Sequence, residues 1–231
     1  MSSPILSLAL LQIPGLEAPD QTFQEELVVF WESGGWMMYF LAATAIVGLI
    51  VIIWKLFDLT SKGARTKRVL REVDALVAEG RIPEAVETAE ASKTPAGRIL
   101  AEGLQRHAEG TERVTKAIEN AGLIEMAKLE RGLVILATVS TVAPLLGFLG
   151  TVMGMIEAFE AIELAGEVEA TLVARGIKIA LVTTAAGLMI AIPVSIAHNY
   201  FVSRIDRLVI DMEESAQRTI DHLHQIEVAG R

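Results

Sequence analysis

Three stretches of this chain, Gly34 to Trp54, Leu133 to Ile156 and Ile179 to Ser203, contain no Asp, Glu, Lys or Arg. Each reaches the roughly 20 apolar residues that a helix needs to cross a bilayer. A lone segment in lipid must satisfy its own backbone hydrogen bonds, which a helix does and an isolated strand does not. The chain is therefore read as an all-α membrane protein with three transmembrane helices. A hydrophobic content of 52% beside a charged content of 21% fits this, because the two populations are segregated along the sequence.

Orientation follows from the charges that flank the first span. Lys55, Lys62, Arg65, Lys67, Arg68 and Arg71 come directly after it, whereas residues 1–33 hold Glu17, Asp20, Glu25, Glu26 and Glu32 with no Lys or Arg. Basic residues stay on the cytoplasmic side, so the N-terminus is expected outside and the C-terminus inside. The missing positive n-region also argues against a cleaved secretory leader. Trp36 and Trp54 stand 18 residues apart, roughly 27 Å along a helix, as two interfacial aromatic anchors would.

The expected organisation is an outer N-terminal segment with short amphipathic helices at 1–33, including a surface helix at Ile5 to Ile13 and one capped by Thr22 and Glu25. Transmembrane helices follow at 34–57, 132–162 and 174–203. A cytoplasmic helical domain occupies 58–131, an acidic outer loop 163–173 and a cytoplasmic amphipathic helix 204–231. Within the cytoplasmic domain Gly80, Pro83, the Thr94 and Pro95 pair and Gly110 mark helix boundaries. From Glu112 the helical pattern runs unbroken through Arg131 into the second span.

The second span reads TVSTVAPLLGFLGTVMGMIEAF from Thr138, and at 3.6 residues per turn it collects Ser140, Pro144, Gly147, Thr151, Gly154 and Ala158 on one side. The third gathers Ala180, Thr184, Gly187, Ala191, Ser195 and His198. In lipid, small residues let helix backbones approach closely, so Gly147, Gly150, Gly154 and Gly187 are read as packing positions. Pro144 and Pro193 are kink positions, each freeing a carbonyl one turn back. Counting inward from Glu157 and from Lys178, Thr151 and Thr184 each lie six residues deep, so the two hydroxyls are expected at a common level. Thr183 adds a third alcohol, and Ser140 and Ser195 complete the candidate polar path.

No Asp, Glu or Lys occupies the deep part of any span. A proton path through lipid normally needs a titratable group, so the acid for such a path has to come from another polypeptide. A net charge of −9 excludes a generic nucleic-acid binder. The absence of cysteine removes thiol chemistry and thiolate metal sites. His222 and His224 fall on different helical faces and make a poor metal pair. No nucleophile with a base, no phosphate loop and no nucleotide motif is present, so neither an enzyme nor a cofactor is expected.

The segments APLLGFLGTVMGMIEAF from Ala143 and GIKIALVTTAAGLMIAIP from Gly176 resemble the signatures of the MotA/TolQ/ExbB proton-channel family, nearer ExbB and TolQ than MotA. The resemblance implies a homopentamer in the bacterial inner membrane, around two single-span ExbD- or TolR-like subunits whose membrane Asp carries protons inward. It also implies a link to a TonB-like transducer acting on periplasmic or outer-membrane components. By the same resemblance Thr151 and Thr184 match pore threonines, and Pro144, Gly147, Gly150, Gly154, Gly187, Pro193 and Asn199 match packing and kink positions. One departure stands out: where ExbB and TolQ sequences commonly carry a glutamate five residues before the third-helix threonine, this chain has Ile179, with Lys178 beside it. Sodium coupling within the same family, and a non-conducting oligomeric scaffold, are the competing readings.

Overall fold

The structure is a computed structural model that describes residues 23–229. The surface helix expected at Ile5 to Ile13 and the capping residue Thr22 lie outside the described residues. Helices follow one another as α1 (Phe23–Ser33), α2 (Met37–Ala78), α3 (Ile82–Ala91), α4 (Pro95–Leu104), a 3₁₀ turn (His107–Glu109), α5 (Thr111–Glu130), α6 (Leu133–Ala165) and α7 (Ala170–Ala229). The described chain is all-helical, and three of its helical stretches are long and apolar enough to cross a membrane. Two of them extend well past their apolar cores: α2 continues to Ala78 and α7 to Ala229.

The uninterrupted helix expected across residue 131 does not form. Arg131 turns to φ −52° and ψ 131°, and Gly132 takes φ +88°. The left-handed region suits glycine because it carries no Cβ. Apolar spacing stays in phase on both sides of the break, which is why periodicity cannot see it. Lys55 explains what the break does: its ammonium, fully buried, donates to the carbonyls of Leu129 and Arg131, the latter at 2.8 Å. It thereby satisfies carbonyls that the end of α5 leaves without helical partners. The indole of Trp54 lies 5.5 Å from the same ammonium.

The described chain divides into two contact units, of which the first comprises residues 23–40 together with Leu146–Ala186. Here the C-terminal part of α6 and the N-terminal part of α7 pack on each other through small residues, and Trp31 meets Tyr39 edge-on with ring centroids 5.6 Å apart.

The second unit comprises Leu41–Leu145 and Gly187 onward. Its core joins Leu70, Val73 and Val77 of α2 to Leu100 and Leu104 of α4, Val114 of α5 and Phe201, Ile205 and Met212 of α7. The short helices start where local chemistry dictates. Arg81 pairs with Glu79 and Glu84 ahead of α3, and the Thr94 hydroxyl caps α4 by accepting from the Gly97 amide at 3.1 Å. Glu125 of α5, buried, accepts from Arg98 of α4 and from Lys128 at 2.7 Å. Burial pushes the Glu125 carboxyl upward, but the hydrogen bonds from Arg98 and Lys128 outweigh it and hold the group below the ordinary carboxylate range.

Candidate functional site

The site is built where α6 and α7 meet in antiparallel fashion over Gly147, Gly150, Gly154, Ala158, Gly176 and Ala180, all buried. A Cβ on Gly154 would stand 2.8 Å from the Gly176 carbonyl and 2.9 Å from the Ala180 amide, so backbone faces backbone there. A Cβ on Gly150 would press on the Thr183 side chain, 2.5 Å from its Cβ. Such approach is how transmembrane helices gain van der Waals contact where lipid supplies no hydrophobic drive. Gly176 was not singled out by the sequence reading. The signal that could have found it is the four-residue recurrence Gly176, Ala180, Thr184, which mirrors Gly150, Gly154, Ala158 on the opposing helix.

The three threonines have different surroundings. Thr184, half-buried, donates to Ala180 O within its helix at 3.1 Å and lies 3.3 Å from the Gly147 carbonyl across the interface. Thr183 is 0% exposed, and its hydroxyl turns back on Ile179 O at 2.9 Å and Ala180 O at 3.0 Å. Within one chain it is a packing residue under Gly150. Thr151 is half-buried and donates to Phe148 O at 2.6 Å.

Thr151 and Thr184 do not share one level. The contacts of Gly147 with Thr184, Gly150 with Thr183 and Gly154 with Gly176 and Ala180 fix the register. In that register Thr151 sits opposite the stretch around Leu181, about three residues or roughly 4.5 Å nearer the Glu157 end than Thr184. Counting from the charges misled because Glu157 and Lys178 are not collars of equal height. Arg175 faces the Glu157 level, and Lys178 lies nearly one turn deeper. The hydroxyls therefore form two tiers.

The remaining candidates fall in the second unit and are described within it. Ser140 is half-buried and donates to Ala137 O at 2.8 Å; Ser195 is exposed. Pro144 and Pro193 lie inside α6 and α7, half-buried and exposed respectively, and Gly187 is buried. Pro144 leaves the Ser140 carbonyl, and Pro193 the Met189 carbonyl, without the usual amide donor. Asn199 is exposed, with its side-chain oxygen 3.4 Å from His198 Nδ1. The bulky residues Phe148, Leu149, Val152 and Phe159 of α6 and Leu181 of α7 point outward and stay exposed in the single chain.

Among the described residues no group of three His, Cys, Asp or Glu side chains is placed to hold a metal ion. His222 lies 3.8 Å from Asp74, whereas His224 shares a separate hollow with Glu112, Arg113 and Lys116.

Comparison with known proteins bears on this arrangement directly. Residues 91–214 match the profile of the MotA/TolQ/ExbB proton channel family. A biopolymer transport protein ExbB homolog of Methanothermobacter thermautotrophicus is 31% identical over 189 residues, which cover 81% of this chain and 67% of that protein. The biopolymer transport protein ExbB-like 1 of Synechocystis is 36% identical over 69% of this chain and 64% of its own length. The Tol-Pal system protein TolQ of Pseudomonas aeruginosa is 40% identical over 42% of each chain. The chain thus spans about two thirds of the length of the first two relatives and less than half of the third.

Proposed function

We propose, from the premise that the chain belongs to the MotA/TolQ/ExbB proton channel family, that it is the pore-forming subunit of an ion-driven membrane motor of the ExbB and TolQ kind. In this reading several copies, five by family resemblance, surround the single transmembrane helices of two ExbD- or TolR-like subunits. The N-terminus faces the periplasm, and protons move inward down their gradient. The work is delivered to a periplasmic partner, such as a TonB-like transducer.

The observation that carries the reading is a pair of hydroxyl tiers, Thr151 and Thr184, in membrane spans that hold no carboxylate at depth. An alcohol can both donate and accept a hydrogen bond, so it can solvate an acid in either protonation state. It does not titrate at physiological pH, so it cannot carry the proton by itself. A carboxyl group borne on a partner helix would exchange partners between the tiers as it loads and unloads. The stagger of about one turn suits an acid that moves along the pore axis between two positions, each lined by hydroxyls.

A second reading, sodium in place of protons, draws on the oxygens gathered around Thr184. Its hydroxyl lies within 3.3 Å of both the Gly147 and Ala180 carbonyls, and the Thr183 hydroxyl shares Ala180 O. Hard cations take such oxygen ligands.

Native mass spectrometry of the chain co-expressed with a single-span partner bearing a membrane Asp tests the assembly. An oligomer of this chain that retains partner helices is expected. A partner-free species under conditions that preserve the oligomer contradicts the reading. Replacing sodium by potassium in a transport assay separates the two ions: unchanged flux supports protons, and lost flux supports sodium.

A further inference from the structure

The parts of α2 and α7 that lie beyond the apolar spans run parallel and in register. Lys67 of α2 pairs with Asp211 of α7 at 3.2 Å, and one heptad further along both helices Asp74 meets Arg218 at 3.9 Å with the charges exchanged. Val73 and Val77 on α2 and Thr219 and Leu223 on α7, in the same stretches of the two helices, are buried.

Buried side-chain atoms without a hydrogen-bond partner cluster here. Among the described residues they are Asp74 Oδ1, Ser215 Oγ and His222 Nδ1. Two of the three face each other, since His222 Nδ1 stands 3.8 Å from Asp74 Oδ1. That separation is too long for a hydrogen bond. A small change in either side chain would close it. An unsatisfied buried carboxylate oxygen is costly, so the seam is poised to gain from a donor placed at His222.

The neighbouring charges single out His222 as that donor. Asp74 is the acid that α2 presents, and Arg218, one turn back on α7, already leans toward its other oxygen at 3.9 Å. On the same helix Asp221 accepts from Gln217 at 3.0 Å, and Glu214 lies 3.8 Å from Arg218. From α5, Lys116 is paired with Glu112 at 2.7 Å and borders the hollow of His224, not the seam. Ahead of α3, Arg81 is occupied by Glu79 and Glu84. A guanidinium close to Asp74 argues against a metal ion there. Histidine is the side chain whose charge changes between about pH 5 and 8, and its imidazolium donates from both nitrogens.

We propose that Asp74, His222 and Arg218 form a proton-operated clasp: protonation of His222 places an Nδ1 donor against Asp74 Oδ1 and locks the end of α7 onto α2. The clasp stands on this geometry and does not depend on which ion the pore conducts. A rise in proton concentration on the side of the helix ends tightens the seam, and its decline loosens it.

The chain has no cysteine, so two spin labels can be placed cleanly at the exposed positions Ala78 and Gln225 as Ala78→Cys and Gln225→Cys. The distance distribution is measured in lipid nanodiscs on the full chain at about pH 8 and about pH 5.5, either side of the ordinary histidine range. Acidification is expected to raise the short-distance population about twofold, and the rise should be absent in His222→Gln and in Asp74→Asn but intact in His224→Gln. A distribution in the parent that ignores pH overturns the proposal, as does a full response in His222→Gln. Because the parent alone can refute the clasp, poor folding of Asp74→Asn leaves the test intact.

Discussion

The Thr184 hydroxyl lies 3.3 Å from the carbonyl of Gly147 on the opposing helix. This contact ties a candidate pore residue to the close glycine interface beneath it. The polar site and the packing that positions it are therefore one structure, and they can be separated only by substitutions that change one of them. Removing the hydroxyl at near-constant shape, Thr184→Val, should cost only about 0.6 kcal/mol of stability, the average for an interhelical hydrogen bond in membranes. Ion flow should fall far more than the thermal midpoint in detergent. Flow that tracks the small loss in stability would place Thr184 in packing alone.

Gly154 and Gly122 make opposite predictions from the same substitution. A Cβ at Gly154 meets the backbone of Gly176 and Ala180 at 2.8 and 2.9 Å, and backbone cannot rotate away. Gly154→Ala should destabilise by about 1–3 kcal/mol as the helices are pushed apart. Gly122 lies inside α5 with open space around the same atom. Gly122→Ala should stabilise by about 0.5–1 kcal/mol through helix propensity. Thermal unfolding of the two variants in one detergent checks both signs.

Lys55→Met should fray the end of α5. The substitution keeps the volume of the stem but withdraws the donors from the Leu129 and Arg131 carbonyls. Leaving buried acceptors unsatisfied costs about 1–3 kcal/mol. Hydrogen exchange should accelerate locally across residues 126–136 in the full chain, while amides within α3 keep their protection.

Glu125 gives the packing of α4 on α5 an acid-sensitive joint. Hydrogen bonds from Arg98 and Lys128 overcome burial and hold its carboxyl below the ordinary range. A depressed acid stabilises the fold above its unfolded pKa of about 4.3 and loses that contribution as pH falls through its folded value. Arg98→Ala should cost about 2 kcal/mol at neutral pH, less than for a fully buried pair because Lys128 remains and Arg98 is partly exposed. In Glu125→Gln the acid-induced loss should diminish. Unfolding curves of the parent and of Glu125→Gln between about pH 3 and pH 7 decide this by difference, since of the three paired groups only the Glu125 carboxylate titrates there.

The three spans were legible from hydropathy because charge exclusion over a bilayer's width needs no knowledge of partners. Helix ends at Gly80, Thr94 and Gly110 were legible because turn chemistry is local. The break at Gly132 was not, since its cause is tertiary: Lys55 arrives from another helix to cap the carbonyls, and Trp54 packs against the turn. The glycine stripes on α6 and α7 were visible as small-residue spacing. Their register was not, because it is set by which glycine meets which neighbour, and charges at the span ends are a coarse ruler. That error placed Thr151 level with Thr184 when they stand about one turn apart. The Asp74 and His222 pair was invisible in sequence for the same reason, being separated by most of the chain.

In the proposed motor this chain supplies alcohols and no acid at membrane depth, so ion flow depends on a carboxyl group brought by a partner helix. Proton uptake into vesicles under a fixed membrane potential decides this, with the chain alone, with a single-span partner bearing a membrane Asp, and with that partner's Asp changed to Asn. Uptake only in the second preparation is the predicted result. Uptake by the chain alone, or undiminished uptake with the Asn partner, would show that the partner's acid is not needed.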